Sequence, residues 1–230
     1  MTTESNVPEW GKVQTPPGER RLPVYLLLDT SGSMDGAPIQ SVREGLEQFQ
    51  REVAEDPFAR DVVKVGVITF GEEARFVTSG LIPIQEFQVP ELVPSNRDVA
   101  RLDLAFRLLR ESFDRDVVRP RPGGPKGDWR PVVFVFTDGR PTDGYGKPSD
   151  QWKAERDALI NRPKRQVKPA NFVAVGCGPN VDDETLKAIS TGTAFCMGTS
   201  EAAFVSLFSW RPMPSITPGD VPPDIDIYIP

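Results

Sequence analysis

Histidine is absent from all 230 residues. That removes Ser-His-Asp and Cys-His nucleophilic systems, imidazole-ligated zinc, and the commonest general acid and base at neutral pH. Any enzyme built on this chain would run on carboxylates, lysine or a metal ion. Cysteine is scarce as well. Cys177 and Cys196 stand apart and form no CxxC pair, so buried thiols of a reducing compartment are expected, with one disulfide as the alternative. Positive charge is not in excess: 27 Lys and Arg face 33 Asp and Glu, for a net charge of −6 and a pI near 4.9. This argues against a polyanionic partner such as nucleic acid, and no cluster denser than "RPKR" at 162–165 offsets it. No apolar run is long enough to cross a bilayer, and the opening "MTTESNVPEWGKVQTPPGERR" has no apolar signal region. The expected location is therefore cytoplasmic. Neither GxGxxG nor GxxxxGK[ST] occurs, which leaves a nucleotide-binding enzyme without a phosphate loop.

What the chain does contain is enough for one α/β domain with a sizeable core, flanked by tails. Residues 1–20 are polar and rich in Pro and Gly and read as a loose leader; residues 21–210 form the domain; 211–230 are a proline-rich C-terminal tail. Leu22–Leu28 is continuously apolar, as expected of a strand covered on both faces. Ile39, Val42, Leu46, Phe49 and Val53 then recur at three and four, one face of a helix. Residues 62–70 are β-branched and aromatic, and 74–80 return as an antiparallel partner. The stretch 80–98, with three prolines, reads as a long connection or an edge segment rather than a central strand. Val99, Leu102, Phe106, Leu109, Phe113 and Val117 predict a long helix. Pro131–Phe136 is a second strand apolar on both faces, followed by a helix at 149–161, a strand in "NFVAVGCG", a short helix in "VDDETLKAIS", a strand in "TAFCM" and a helix over Glu201–Phe208. The alternation implies an α/β, Rossmann-like, doubly wound sheet, mostly parallel, with one antiparallel edge hairpin and helices on both faces. Ligands of such sheets bind beyond the carboxyl ends of the strands.

Two strand ends carry the chemistry. The stretch "VYLLLDTSGSMDG", Val24–Gly36, passes from apolar residues to Asp29, Ser31 and Ser33, and "PVVFVFTDG" ends in Asp138. Right-handed crossovers put both ends on one sheet edge, so residues more than a hundred apart in sequence meet. Oxygen ligands of this kind suit a hard cation such as Mg²⁺. The competing explanation is ordinary turn and cap chemistry, with Ser33 or Asp35 capping the following helix. Asp143 reads as a turn residue, "DDE" at 182–184 as a solvated helix start, and Trp129 and Trp152 as core or rim packing.

"DTSGSM" after an apolar strand resembles the DxSxS signature of the von Willebrand factor A domain and its metal-ion-dependent adhesion site, and "FTDGRPTD" resembles the family's second metal loop. "RRLPVYLLLDTSGSM", "VITF" and "KGDWRPVVFVFTDGRPTD" are similar to the bacterial TerY-like group, stand-alone A domains of tellurite-resistance and chemical-stress gene sets. The resemblance implies Ser31 and Ser33 as direct ligands, and Asp29 and Asp138 as ligands directly or through water. The ion implied is Mg²⁺, with Mn²⁺ or Ca²⁺ as variants. The family's threonine ligand is missing, because Val99 and Ala100 stand at its expected place; Asp98, Ser95 or Asn96 are candidates to replace it, and a degenerate, metal-free docking site is the alternative. The implied function is a non-enzymatic interaction module whose partner supplies an acidic ligand. A PP2C-type phosphatase and a Ser/Thr kinase are the partners the TerY-like group implies, with Thr30, Ser31 and Ser33 as exposed hydroxyls. The competing class is a metal-assisted phosphohydrolase using Asp29 as nucleophile. Such enzymes need a second carboxylate two residues on, and here that position is Ser31.

Overall fold

The computed structural model describes residues 20–124, 126–178, 181–192, 194–197 and 225–228. Strand β1 spans Leu22–Asp29, α1 Ala37–Glu55, α2 Pro57–Val62, β2 Val63–Phe70, β3 Ala74–Phe76, β4 Ile82–Pro83 and α3 Leu102–Asp116. They are followed by β5 Val132–Thr137, α4 Gln151–Ile160, β6 Asn171–Cys177, α5 Asp183–Ile189, β7 Ala194–Met197 and β8 Ile225–Tyr228. The strands form one sheet in the order β3-β2-β1-β5-β6-β7-β8, with β4 also on β2. β1, β2, β5, β6 and β7 run parallel, while β3 and β4 are antiparallel to β2. The expected doubly wound sheet with an antiparallel edge hairpin is therefore present. A second antiparallel edge also exists, because Ile225–Tyr228, within the segment read as a tail, pairs with β7. The helix expected over Glu201–Phe208 lies outside the described residues.

The period-two alternation of buried strands divides the core cleanly. From β1, Val24, Leu26 and Leu28 face Val42, Leu46, Phe49 and Val53 of α1. Tyr25 and Leu27 point the other way, into the layer formed by Phe106, Leu109 and Phe113 of α3 with Trp152 of α4 and Leu186 of α5. Both faces are covered, which is why β1 and β5 read as unbroken apolar runs rather than alternating ones. Cys177 is buried on β6, its Sγ 3.7 Å from Val175 O. Trp152 is in the core, within the expected core or rim packing.

Two boundaries differ from expectation for physical reasons. Antiparallel pairing on β2 stops at Phe76 rather than continuing to 80, because the Thr78 hydroxyl takes over as acceptor for the Val67 N–H at 3.0 Å. The long helix begins at Leu102, not Val99. The backbone of 99–101 is already committed across loops: Arg101 N–H donates to Gly71 O at 2.9 Å, Thr142 N–H donates to Ala100 O at 2.9 Å, and Ala100 N–H donates to Thr142 Oγ1 at 2.9 Å. Those bonds fix the loop before α3 against the loops after β2 and β5, all at the carboxyl edge of the sheet.

Candidate metal centre

Three loops meet at that edge: residues 30–36 after β1, 95–101 before α3, and 138–150 after β5. Gly32 is what lets the first two touch. Its N–H donates to Arg97 O at 2.9 Å, and a Cβ there would lie 3.2 Å from the backbone of Arg97 and Ser95. Thr30 O accepts the Ser95 N–H at 2.8 Å, completing the seam.

The two strand ends meet as the crossover rule requires. Asp29 is only 1 % exposed; its Oδ1 accepts the Ser31 N–H at 2.8 Å and its Oδ2 accepts the Thr137 hydroxyl at 2.7 Å. The Ser31 and Ser33 hydroxyls lie 3.2 Å apart, and Ser33 Oγ donates to Asp138 Oδ1 at 3.0 Å. Three side chains, Ser31, Ser33 and Asp138, thus form a continuous chain of oxygens across two strand ends, with Asp29 joined to it through the Ser31 N–H. Neither Ser31 nor Gly36, at the starts of the short 3-10 turn and of α1, makes a side-chain cap, and neither Ser33 nor Asp35 caps α1. The hydroxyls point across the sheet edge instead, which the capping explanation does not account for.

Burial makes the carboxylates costly as anions. It pushes Asp29 up from 3.8 to about 6, against the opposing hydrogen bonds from Ser31 and Thr137, with the Asp138 charge adding to the rise. Asp138 is also raised, first by burial, with the Ser33 bond opposing and the charge of Asp98 adding. A bound cation reverses both trends by favouring the ionised forms.

The third loop contributes differently from the first two. Val99 and Ala100 are buried apolar side chains with no oxygen to offer. Ser95 is tied within its own loop, donating to Arg97 O and accepting the Arg97 N–H at 3.2 Å. Asp98 is exposed, and its charge reaches Asp138. Among the described residues no three acidic or thiol side chains gather tightly enough to hold an ion unaided. The donor set is instead two carboxylates and two hydroxyls, hard oxygens that fit Mg²⁺ or Mn²⁺ with water completing the shell.

Sequence reasoning missed Thr137. It reads as the last residue of a strand, but its hydroxyl is buried and orients Asp29 from the neighbouring strand. The repeated Asp-after-strand pattern was the available signal. Thr137→Val is expected to weaken Mg²⁺ binding about tenfold by leaving Asp29 Oδ2 without its donor, and to raise the pH below which binding fails; metal titrations at pH 6 and 8 check both. The expectation of three exposed hydroxyls is corrected: Ser31 is 1 % exposed, Thr30 Oγ1 donates to Phe70 O at 3.1 Å, and Ser33 alone of the three is exposed. Asp143 is a turn residue, accepting the Tyr145 and Lys147 N–H groups at 2.8 and 3.0 Å. Asp182 caps α5 through Thr185 N–H at 3.1 Å and pairs with Arg140 at 3.0 Å. A cleft of about 350 Å³ lies beyond Arg140 and is lined by Pro141, Trp152, Lys153 and Glu184. It does not include Asp29, Ser31 or Ser33.

Comparison with known proteins agrees with this fold. The family model for the von Willebrand factor type A domain matches residues 24–210. Among solved structures, proximal thread matrix protein 1 from the mussel byssus, with a zinc-occupied MIDAS motif, is 18 % identical with a TM-score of 0.57, over 84 % of this chain and 47 % of that one. A von Willebrand factor type A protein from Catenulispora acidiphila is 16 % identical with a TM-score of 0.58, over 82 % of this chain and 41 % of that one. Manganese-loaded TRAP protein of Plasmodium vivax is 17 % identical with a TM-score of 0.50, over 74 % of this chain and 62 % of that one. The chain spans less than half the length of the first two. No curated protein matches it significantly. No helix among the described residues is long and apolar enough to cross a membrane.

Proposed function

Because the chain belongs to the von Willebrand factor type A domain family, we propose that it is a non-enzymatic interaction module that docks a protein partner at a metal-ion-dependent adhesion site. The carrying observation is the oxygen chain from Ser31 through Ser33 to Asp138, with Asp29 buried behind it. Ser31, Ser33, Asp29 and Asp138 hold the ion in this reading, and Asp98 stands at the rim. When bound, the ion offers a coordination position that a partner's carboxylate can fill. The two buried carboxylates hold it with little excess negative charge, so an acidic side chain can approach. Thr137 and the Ser31 N–H keep Asp29 oriented.

The finer reading places the protein in a bacterial stress-response complex of the TerY-like kind, with a PP2C-type phosphatase and a Ser/Thr kinase as partners and a cytoplasmic setting. Its support is the stretch "KGDWRPVVFVFTDGRPTD". Phosphohydrolase chemistry is less well served. Asp29, with both carboxylate oxygens engaged and 1 % exposure, is poorly placed to attack phosphorus.

The test is partner capture on immobilised protein in Mg²⁺, in EDTA, and with a Ser31→Ala/Ser33→Ala variant in Mg²⁺. A partner retained in the first condition alone supports the reading. Equal retention in all three contradicts it, as does p-nitrophenyl phosphate turnover lost in Asp29→Asn.

A further inference from the structure

The opposite edge of the sheet carries a charge pattern that net charge conceals. The amino ends of β1, β2, β5 and β6 lie side by side, with Leu22 opposite Val63, Val24 opposite Val132, and Val132 opposite Asn171. Backbone bonds draw the flanking loops onto the same edge: Trp129 N–H donates to Arg21 O at 2.9 Å, Asp128 N–H to Val118 O at 2.9 Å and Ala170 N–H to Pro131 O at 2.7 Å. The segments brought together contribute Arg121, Lys126, Arg130, Lys164, Arg165 and Lys168. All but Lys168 are exposed, and none has an ion-pair partner among the described residues.

Most acids of this edge are engaged within it; Glu55, at the end of α1, and Glu86, near Lys64, are the exposed exceptions. Asp128 is held by Arg21 in a two-pronged pair at 2.9 and 2.6 Å and also accepts the Val118 N–H at 2.8 Å. Asp114 takes Arg119 at 2.6 Å together with Arg162, and Asp116 takes Arg115 at 2.7 Å. Asp61 lies 3.7 Å from Arg60, and Asp56 caps α2 through Ala59 N–H at 2.7 Å. What remains is a cationic surface on an acidic protein. Beside it, on the β2 side, is an apolar spot: Phe58, 55 % exposed, meets Trp129 edge to face with ring centroids 6.2 Å apart. The Arg20 guanidinium covers Trp129, 5.2 Å from its centroid, and is itself fixed to Gly127 O at 2.9 Å. Gly127 has no room for a Cβ against Arg119 and Pro120, so the loop is packed rather than loose.

We propose that this amino edge is a second docking surface, remote from the metal centre, for a short acidic protein segment carrying an aromatic or aliphatic side chain. The cations attract its carboxylates and Phe58 receives the apolar residue. A protein segment fits better than nucleic acid, because the Trp129 ring is covered by Arg20 and edged by Phe58, which leaves no open indole face on which bases can stack. It fits better than a bilayer or duplex because those extend past the face and meet the remainder of a molecule with net charge −6. A short segment stays within roughly one Debye length, about 8 Å at physiological salt, of the cations.

The test uses the full chain and a fluorescein-labelled peptide of about twelve Asp and Glu residues around a central Phe, followed by anisotropy at about 0.15 M salt. The expected result is saturable binding that tightens at lower salt. It should weaken about tenfold or more in Arg121→Glu/Lys126→Glu/Arg130→Glu and in the separately placed Lys164→Glu/Arg165→Glu, and several-fold in Phe58→Ala. The Mg²⁺ response of the same variants should be unchanged, which also reports that they fold. No saturable binding, or binding by both charge-reversed variants as tight as that of the natural sequence, overturns the proposal. Tighter binding of a labelled single-stranded oligonucleotide, or of vesicles with anionic headgroups, overturns the assignment to a protein segment.

Discussion

Asp29→Asn is expected to stabilise the metal-free protein at pH 8 while removing its affinity for Mg²⁺. In the folded chain burial pushes Asp29 up from 3.8 to about 6. Between those values the folded state binds more protons than the unfolded state, so stability falls as pH rises. The favourable contribution is fully present below 3.8 and is lost by the time pH has passed 6. A shift of about two pKa units corresponds to about 3 kcal/mol between pH 4 and pH 8. Asp138, also raised by burial, acts with the same sign. Asparagine keeps an acceptor for the Ser31 N–H, and the Thr137 hydroxyl can rotate to accept from the amide. The variant should therefore lack most of the pH slope. Urea unfolding in EDTA at pH 5 and pH 8 measures it, and parallel slopes in the two proteins would falsify the burial argument. The gain in metal-free stability and the loss of metal binding come from the same cause, a carboxylate held dehydrated for a cation.

Ser31→Ala/Ser33→Ala should erase the thermal stabilisation that Mg²⁺ confers. At a hundredfold excess over Kd a ligand specific for the folded state contributes about 2.7 kcal/mol. For a chain of this size that is a rise of roughly 5–10 °C. The double variant removes both hydroxyls from the oxygen chain and leaves Asp138 Oδ1 without its 3.0 Å donor. Without metal it should lose only about 1 kcal/mol, because Ser33 is exposed and water can replace it. Thermal melts of both proteins with and without Mg²⁺ give the comparison. A metal-dependent rise that survives in the variant would show that the ion sits elsewhere.

The doubly covered strands were legible because β1 and β5 carry no charged or alternating polar residue before their last positions, Asp29 and Thr137, which no half-exposed strand tolerates. The meeting of Asp29 with Asp138 followed from crossover handedness alone. Thr137 was not legible as a site residue, since a threonine ending a strand is unremarkable until its hydroxyl is found 2.7 Å from Asp29. The start of α3 was misplaced because Val99 keeps helical spacing, while the backbone bonds that exclude 99–101 from the helix run to Gly71 and Thr142, distant in sequence. The cationic amino edge was hidden for a related reason. Its members are scattered from Arg20 to Lys168, and a net charge of −6 averages them away. Local pattern reports what a segment buries; it does not report which segments share an edge.

The central claim is that this strand-end site holds a divalent cation without the family's usual threonine. Isothermal titration of Mg²⁺ and Mn²⁺ into chelator-treated protein at pH 8, alongside Ser31→Ala/Ser33→Ala, tests it most directly. The account predicts about one ion per chain in the natural sequence and none in the double variant. No binding by the natural sequence, or equal binding by both proteins, would contradict it.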